Sequence, residues 1–216
     1  MIERKFVDEK LKEYQIQEFI AESLKNVGHS HTKMIKTPLG EKIIIFASRP
    51  GLIVGRKGGN IKKLTKTLKQ KFKLENPQIE ISEVNAQALD VQIVAEKIAS
   101  GLEKYGMNKF KAIAHKAMTE AIGAGAMGIE IKISGKIPSA RAKSWRFYQG
   151  YLKKCGDLDS VGVTAAIATA NLKVGAVGVQ VKLMPPDAKL PDRITLNEMT
   201  EEVLEVKEAS KWNIVN

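Results

Sequence analysis

The chain of 216 residues and 23.8 kDa is 44% hydrophobic and 27% charged, an ordinary globular composition that suits two small domains or one large one. That excludes wholesale disorder, a collagen-like repeat and a disulfide scaffold. Lys and Arg outnumber Asp and Glu by 35 to 24, giving a net charge of +11 and a pI near 9.6, so a polyanion is the expected partner.

From Glu3 to Val27, apolar residues (Leu11, Tyr14, Phe19, Ile20, Leu24) recur at helical spacing, and two short helices are expected before Gly28. Two strands, His31 to Lys36 and Lys42 to Ala47, flank a turn at Thr37-Pro38-Leu39-Gly40. The run Ile43-Ile44-Ile45-Phe46 reads as a buried strand. The loop Gly51 to Asn60 then opens a helix with an apolar stripe at Ile61, Leu64, Leu68 and Phe72 opposite Lys62, Lys66, Lys69 and Lys73. A strand from Gln78 to Val84 alternates Ile79 and Ile81 with Glu80 and Ser82.

A helix from about Ala88 to Lys104 should bury Val91, Val94, Ile98 and Leu102, and Tyr105-Gly106 marks the expected domain boundary. The second half begins with a helix, Lys109 to Ile122. A half-buried strand follows, Gly128 to Ser134, in which Ile129, Ile131 and Ile133 face inward. Two later segments, Ser160 to Lys173 and Val177 to Met184, also alternate, and Pro185-Pro186 closes the domain. The last 30 residues hold seven acids against four bases, an acidic tail that leaves +14 on residues 1–186. Three units result: 1–106, 107–186 and a tail, 187–216.

No apolar run is long enough for a membrane helix, and the first residues lack the apolar centre of a secretory signal, so a soluble, intracellular chain with no membrane partner is expected. The single Cys155 can form neither an internal disulfide nor a paired-cysteine zinc site. Enzyme motifs find no support. Gly123 to Gly128 has the letters of a dinucleotide fingerprint but follows a helix and precedes a strand, the reverse of what that loop requires. There is no Gly-Lys-Ser/Thr phosphate loop and no Gly-x-Ser-x-Gly elbow. His29, His31 and His115 lack clustered ligands, the first two lying in or beside a turn with polar surface roles. Neither a cofactor, a metal nor a small-molecule substrate is expected.

The chemistry points to the stretch Ile53-Val54-Gly55-Arg56-Lys57-Gly58-Gly59-Asn60-Ile61-Lys62-Lys63-Leu64. Gly55 and Gly58 remove side chains where phosphates come close, and the following helix offers unpaired N–H groups. Arg56 and Lys57 add mobile charge, while Ile53, Val54, Ile61 and Leu64 can line an apolar floor under bases. Arg49 to Lys73 contains nine bases, among them Lys62, Lys63 and Lys66, and no acid. A second acid-free block, Ile131 to Gly156, carries Lys132, Lys136, Arg141, Lys143, Arg146, Lys153 and Lys154. There Trp145, Phe147 and Tyr148 either stack on bases or belong to the core. A third group, Lys109, Lys111, His115 and Lys116, lies on the first helix of the second half, where a solvated helix face is the plainer reading.

The loop resembles the GXXG signature of the KH domain, which clamps single-stranded nucleic acid, and the order of strands and helices resembles the type II arrangement. The chain as a whole, to about residue 195, resembles the archaeal and eukaryotic form of the small-subunit ribosomal protein S three family. The resemblance rests on Gly125-Ala126-Met127-Gly128, Ser134-Gly135-Lys136, Arg141-Ala142-Lys143-Ser144 with Phe147 and Gly150, Gly156-Asp157, Gly175-x-x-Gly178-Val179-x-Val181-Lys182 and Leu190-Pro191-Asp192. It implies an α+β fold: an N-terminal type II KH domain with a three-stranded sheet and helices on one face, a second two-layer α/β domain, and the tail.

Functionally, the resemblance implies a cytoplasmic, non-enzymatic constituent of the ribosome. Its expected partners are small-subunit rRNA, neighbouring head proteins, and mRNA where it enters the particle. In the family, bases on the first helix of the second domain face incoming mRNA and are associated with its unwinding. Lys111 corresponds to one of them, but Ala112 stands where relatives carry Arg, and His115 stands where the bacterial form has Lys. Lys109 and Lys116 are the neighbouring bases able to supply that charge. Two rival readings are a DNA-repair lyase or nuclease using a lysine amine, and a KH-type regulator of mRNA acting off the ribosome.

Overall fold

A computed structural model describes residues 2–188 and 190, except 26, 38, 39, 75 and 139. The first element, α1 (Ile2–Ser23), is one continuous helix rather than two short ones, because no Gly or Pro interrupts it. Only its C-terminal half is anchored: Ile16 and Ile20 are buried with Leu24, whereas Phe6, Val7, Leu11 and Tyr14 are exposed.

Strands β1 (His29–Thr37) and β2 (Gly40–Ala47) pair antiparallel, and β3 (Gln78–Glu83) joins β2 in parallel, in the order β1-β2-β3. Pro38 and Leu39 of the expected turn lie outside the described residues; Thr37 pairs with Gly40 across it. The apolar run in β2 is buried on one face only. Ile43, Ile45 and Ala47 meet Ile16, Ile20, Ile53 and Leu68, while Ile44 and Phe46 are partly exposed on the other face. Strand pleating alternates side chains between faces, so a continuous apolar run need not be buried on both. Each fully buried isoleucine or leucine stabilises this core by about 1.5–3 kcal/mol.

Helices α2 (Pro50–Val54) and α3 (Gly59–Phe72) fill the β2–β3 crossover. Next comes α4 (Val91–Tyr105), capped by Asp90, whose carboxylate accepts from the N–H groups of Gln92 at 3.0 Å and Ile93 at 3.3 Å. The expected boundary at 106 would place α4 in the first unit. Its buried residues Val91, Val94, Ile98 and Leu102 instead pack into the core of the second sheet. An amphipathic helix belongs where its apolar stripe is covered, so we take the division to fall between β3 and α4.

The second unit continues with α5 (Phe110–Gly123), β4 (Gly128–Gly135), β5 (Lys143–Gly150), α6 (Asp157–Val161), β6 (Thr164–Leu172) and β7 (Gly175–Met184). The four strands form an antiparallel sheet ordered β5-β4-β7-β6. One expected segment starts later than its pattern suggests, because Ser160 lies in α6 and the strand begins at Thr164, and the basic segment from Lys143, to which the pattern assigns no element, is itself a strand. Gly125 does sit between a helix and a strand, and Gly128 opens that strand. Ile129, Ile131, Ile133, Val177, Val179 and Val181 line the inner face, under α4 and α5. Of the acidic tail, residue 189 and residues 191–216 lie outside the described residues; Ala188 and Leu190 pack beside Leu152, Val163 and Met184.

Candidate nucleic-acid interface

Pro50 at the first turn starts α2, and Gly55 stops it at φ 68°, ψ −178°, donating its N–H to the Gly51 carbonyl at 3.0 Å. A short 3-10 turn, Arg56–Gly58, follows, in which Lys57 (φ 52°) and Gly58 (φ 72°) are both left-handed. The two glycines do different work. A Cβ on Gly55 would lie 2.6 Å from Asn60 Nδ2, whereas nothing stands within 4 Å of one on Gly58 or Gly59. Asn60 needs that space, because its Nδ2 donates to the Leu52 carbonyl at 3.2 Å and ties the start of α3 back to α2. The open ground over Gly58 and Gly59 faces the start of α3, whose N-cap residue Gly58 supplies no side-chain hydrogen bond.

Arg56 and Lys57 are exposed, as are Lys62, Lys63, Lys66 and Lys69 along α3, and none of the six pairs with a described carboxylate. Lys71 is drawn aside, its Nζ 4.3 Å from the Phe19 ring centroid. The expected apolar floor is only partly present. Ile53 is 2% exposed and belongs to the core, Ile61 and Leu64 are half-buried, and the exposed apolar residues next to the loop are Leu52 and Val54.

In the second unit, two groups separated in sequence meet. Phe110, at the start of α5, packs edge-on against Trp145 at 5.6 Å and Phe147 at 6.1 Å. Lys111 on α5 and Lys143 at the start of β5 both place Nζ by the same indole, 4.8 and 5.1 Å from its centroid. His115 lies edge-on to Phe147 at 5.4 Å. Lys109 reaches the Tyr105 ring at 5.8 Å, and Lys116 is exposed. The aromatics of β5 therefore divide: Phe147 is core, Trp145 is half-buried at the rim, and Tyr148 is exposed on the opposite face.

That opposite face is less positive than the sequence block implies. Glu130 on β4, 8% exposed, accepts from Arg146 Nε at 2.8 Å and is also ion-paired with Lys154. The block is acid-free along the chain but not across the strands. Arg146 also lies 5.5 Å from the Tyr148 ring. Lys132 and Arg141 are exposed, and Lys136 Nζ donates to the Val174 carbonyl at 3.3 Å. Sequence reasoning missed both Asn60 and Glu130; the strand alternation it found already placed Glu130 on the face of Lys132.

His31 lies in the expected strand, whereas His29 differs from expectation, since β1 already begins there and buries it. His29 is 5% exposed, with Nε2 2.8 Å from Thr32 Oγ1, and burial lowers its pKa below the usual 6.5; nearby His31 adds to this and Asp90 opposes it. His31 is exposed and stacks on Phe46 at 4.3 Å. Cys155 is exposed.

Two family descriptions match the chain: "KH domain" over residues 15–89 and "Ribosomal protein S3, C-terminal domain" over residues 98–183. Among curated relatives, the protein named small ribosomal subunit protein uS3 of Methanococcus maripaludis strain C7 is 44% identical, covering 98% of this chain and all of its own length. The uS3 proteins of Methanococcus vannielii (44%, covering 98% of each chain) and Methanocaldococcus jannaschii (43%, covering 93% of this chain and 96% of the relative) are similar.

Proposed function

This chain belongs to the uS3 family of small ribosomal subunit proteins, and on that premise we propose that its two basic faces divide the contacts with RNA. The family is one of structural ribosomal proteins rather than enzymes, so the chain is a constituent of the small subunit, in the cytoplasm.

In this reading the loop Gly55 to Gly58 and the lysines at 62, 63 and 66 hold a single strand of RNA against the start of α3. The faces around β5, with Lys132, Lys136, Arg141, Lys143 and Arg146, anchor the chain in the rRNA of the subunit head beside neighbouring head proteins. Lys109, Lys111, His115 and Lys116 on α5 border the entrance for mRNA. The observation that carries the reading is the row of exposed cations from Arg56 to Lys69, with no described carboxylate paired to it. Solvated helices ordinarily mix signs, whereas an unneutralised row attracts phosphate.

Assembly tests the proposal. A chain carrying Lys132→Glu, Arg141→Glu and Lys143→Glu should be under-represented in purified small subunits relative to the unaltered chain; equal incorporation would remove this block as the rRNA anchor.

A further inference from the structure

We infer that Trp145, Lys111 and Lys143 form a pocket for one unstacked nucleotide of RNA, its base lying on the indole and its phosphate between the two ammonium groups. This deepens the reading of the chain as an RNA binder and rests on it.

The cavity holds about 330 Å3 and is walled by Phe110, Ile137 and Pro138 besides these three residues. That is near the lower end of the roughly 300–1,000 Å3 of small-molecule sites, room for a single nucleotide unit rather than a folded segment. Its described lining contains two lysines and no carboxylate. Both ammonium groups lie within 5.1 Å of one ring centroid, so two like charges gather at a single indole. A cation over indole is attracted to it, but the second cation repels the first, and an arriving phosphate relieves that repulsion.

The apolar wall matters as much as the charge. Phe110 holds the indole edge-on at 5.6 Å and is itself 5% exposed, so the ring is braced from the core and presents a fixed platform at the rim. An acidic peptide would satisfy the lysines but has no flat group for the indole and the Pro138 wall. A nucleotide carries both an anion and an aromatic plane, and bases stack on such platforms largely irrespective of sequence.

The chain has two tryptophans, so Trp212→Phe leaves Trp145 as the sole indole reporter. A short oligouridylate is titrated against an oligomer of the same length with abasic riboses and against polyglutamate. Saturable quenching of Trp145 by oligouridylate, with affinity about fivefold or more above the abasic oligomer, is expected from base stacking. Read by competition against a labelled oligomer, which needs no indole, Trp145→Leu should abolish that preference and Trp145→Phe should keep most of it, while Lys143→Glu should weaken oligouridylate and the abasic oligomer alike. Equal quenching or equal affinity for the abasic oligomer or polyglutamate overturns the pocket and leaves only a basic patch. Should Trp145→Leu fail to fold, the quenching and the Lys143→Glu variant still decide. If a transcript of the rRNA head binds tightly while quenching is absent, the pocket alone is wrong; if that transcript does not bind, the RNA-binding reading fails with it.

Discussion

Asn60 reaches back over Gly55 to donate to the carbonyl of Leu52 at 3.2 Å, so the first turn of α3 holds the end of α2 and sets the loop between them. The space for that reach exists because residue 55 has no side chain, and its backbone, at φ 68° and ψ −178°, lies in a region essentially reserved for glycine. Gly55→Ala should therefore destabilise the N-terminal unit by about 2–4 kcal/mol, from backbone strain together with the clash. Gly58→Ala, where space is open, should cost about 1 kcal/mol, from the left-handed backbone alone. Urea denaturation followed by circular dichroism measures both, and equal losses at the two positions would contradict the distinct roles of the glycines. In an Asn60→Ala background the cost of Gly55→Ala should shrink, because the clashing partner is gone.

Arg56 and Lys57 are exposed and neither pairs with a described carboxylate, so charge reversal there should leave the fold intact. Arg56→Asp with Lys57→Asp should weaken single-stranded RNA binding and reduce the slope of log affinity against log salt by about 1.4, for two lost phosphate contacts. Unchanged affinity with an unchanged dichroism spectrum would exclude this loop as the single-strand site.

Glu130 restrains two cations of the second sheet's outer face, Arg146 and Lys154. Glu130→Gln should act in opposite directions on the two properties that can be measured. Stability falls by about 1–2 kcal/mol as a largely buried ion pair is broken, while affinity for RNA rises a few-fold at low salt as the cations are released to phosphate. Lower affinity, at a fold shown intact by dichroism, would mean that Glu130 orients Arg146 for RNA rather than withholding it.

Much of this was legible in the sequence, for reasons that follow from periodicity. The Ile129, Ile131 and Ile133 alternation and the stripe at Leu64 and Leu68 are local signals, and each predicted the correct element and buried face. The loop's glycines and bases could be found because the motif is contiguous. What escaped depends on partners distant in the chain. The apolar stripe of α4 says that it is covered but not by which sheet. β5 was hidden because its cations and aromatics mask the alternation of Trp145 and Phe147. The convergence of Lys111 with Lys143 exists only once α5 lies beside β5. Gly28 suggests a turn at or beside His29, yet the strand begins there and buries it against Thr32.

Two titratable groups, the buried His29 and the half-buried Glu96, give stability a defined dependence on pH. His29 is held below its usual 6.5 by burial, so the unfolded chain takes up the proton first, and the stability it contributes in neutral form is lost as pH falls below 6.5. Glu96 has the opposite sign. Burial raises its pKa above 4.5, opposed by its bond from Gln92, so its contribution is complete below 4.5 and is lost as pH rises through its folded value. Unfolding free energy measured from pH 8 to 5 should therefore decline less steeply in His29→Gln than in the unaltered chain, and more steeply in Glu96→Gln. Parallel curves for all three would contradict both assignments.

The most direct test of the account is the salt dependence of affinity for a transcript of the small-subunit rRNA head, with short single-stranded RNA and abasic-site DNA as competitors. The account predicts tight binding, a steep slope of log affinity against log salt from many phosphate contacts, and little displacement by either competitor. A shallow slope, or preferential capture and cleavage of the abasic DNA, would contradict it.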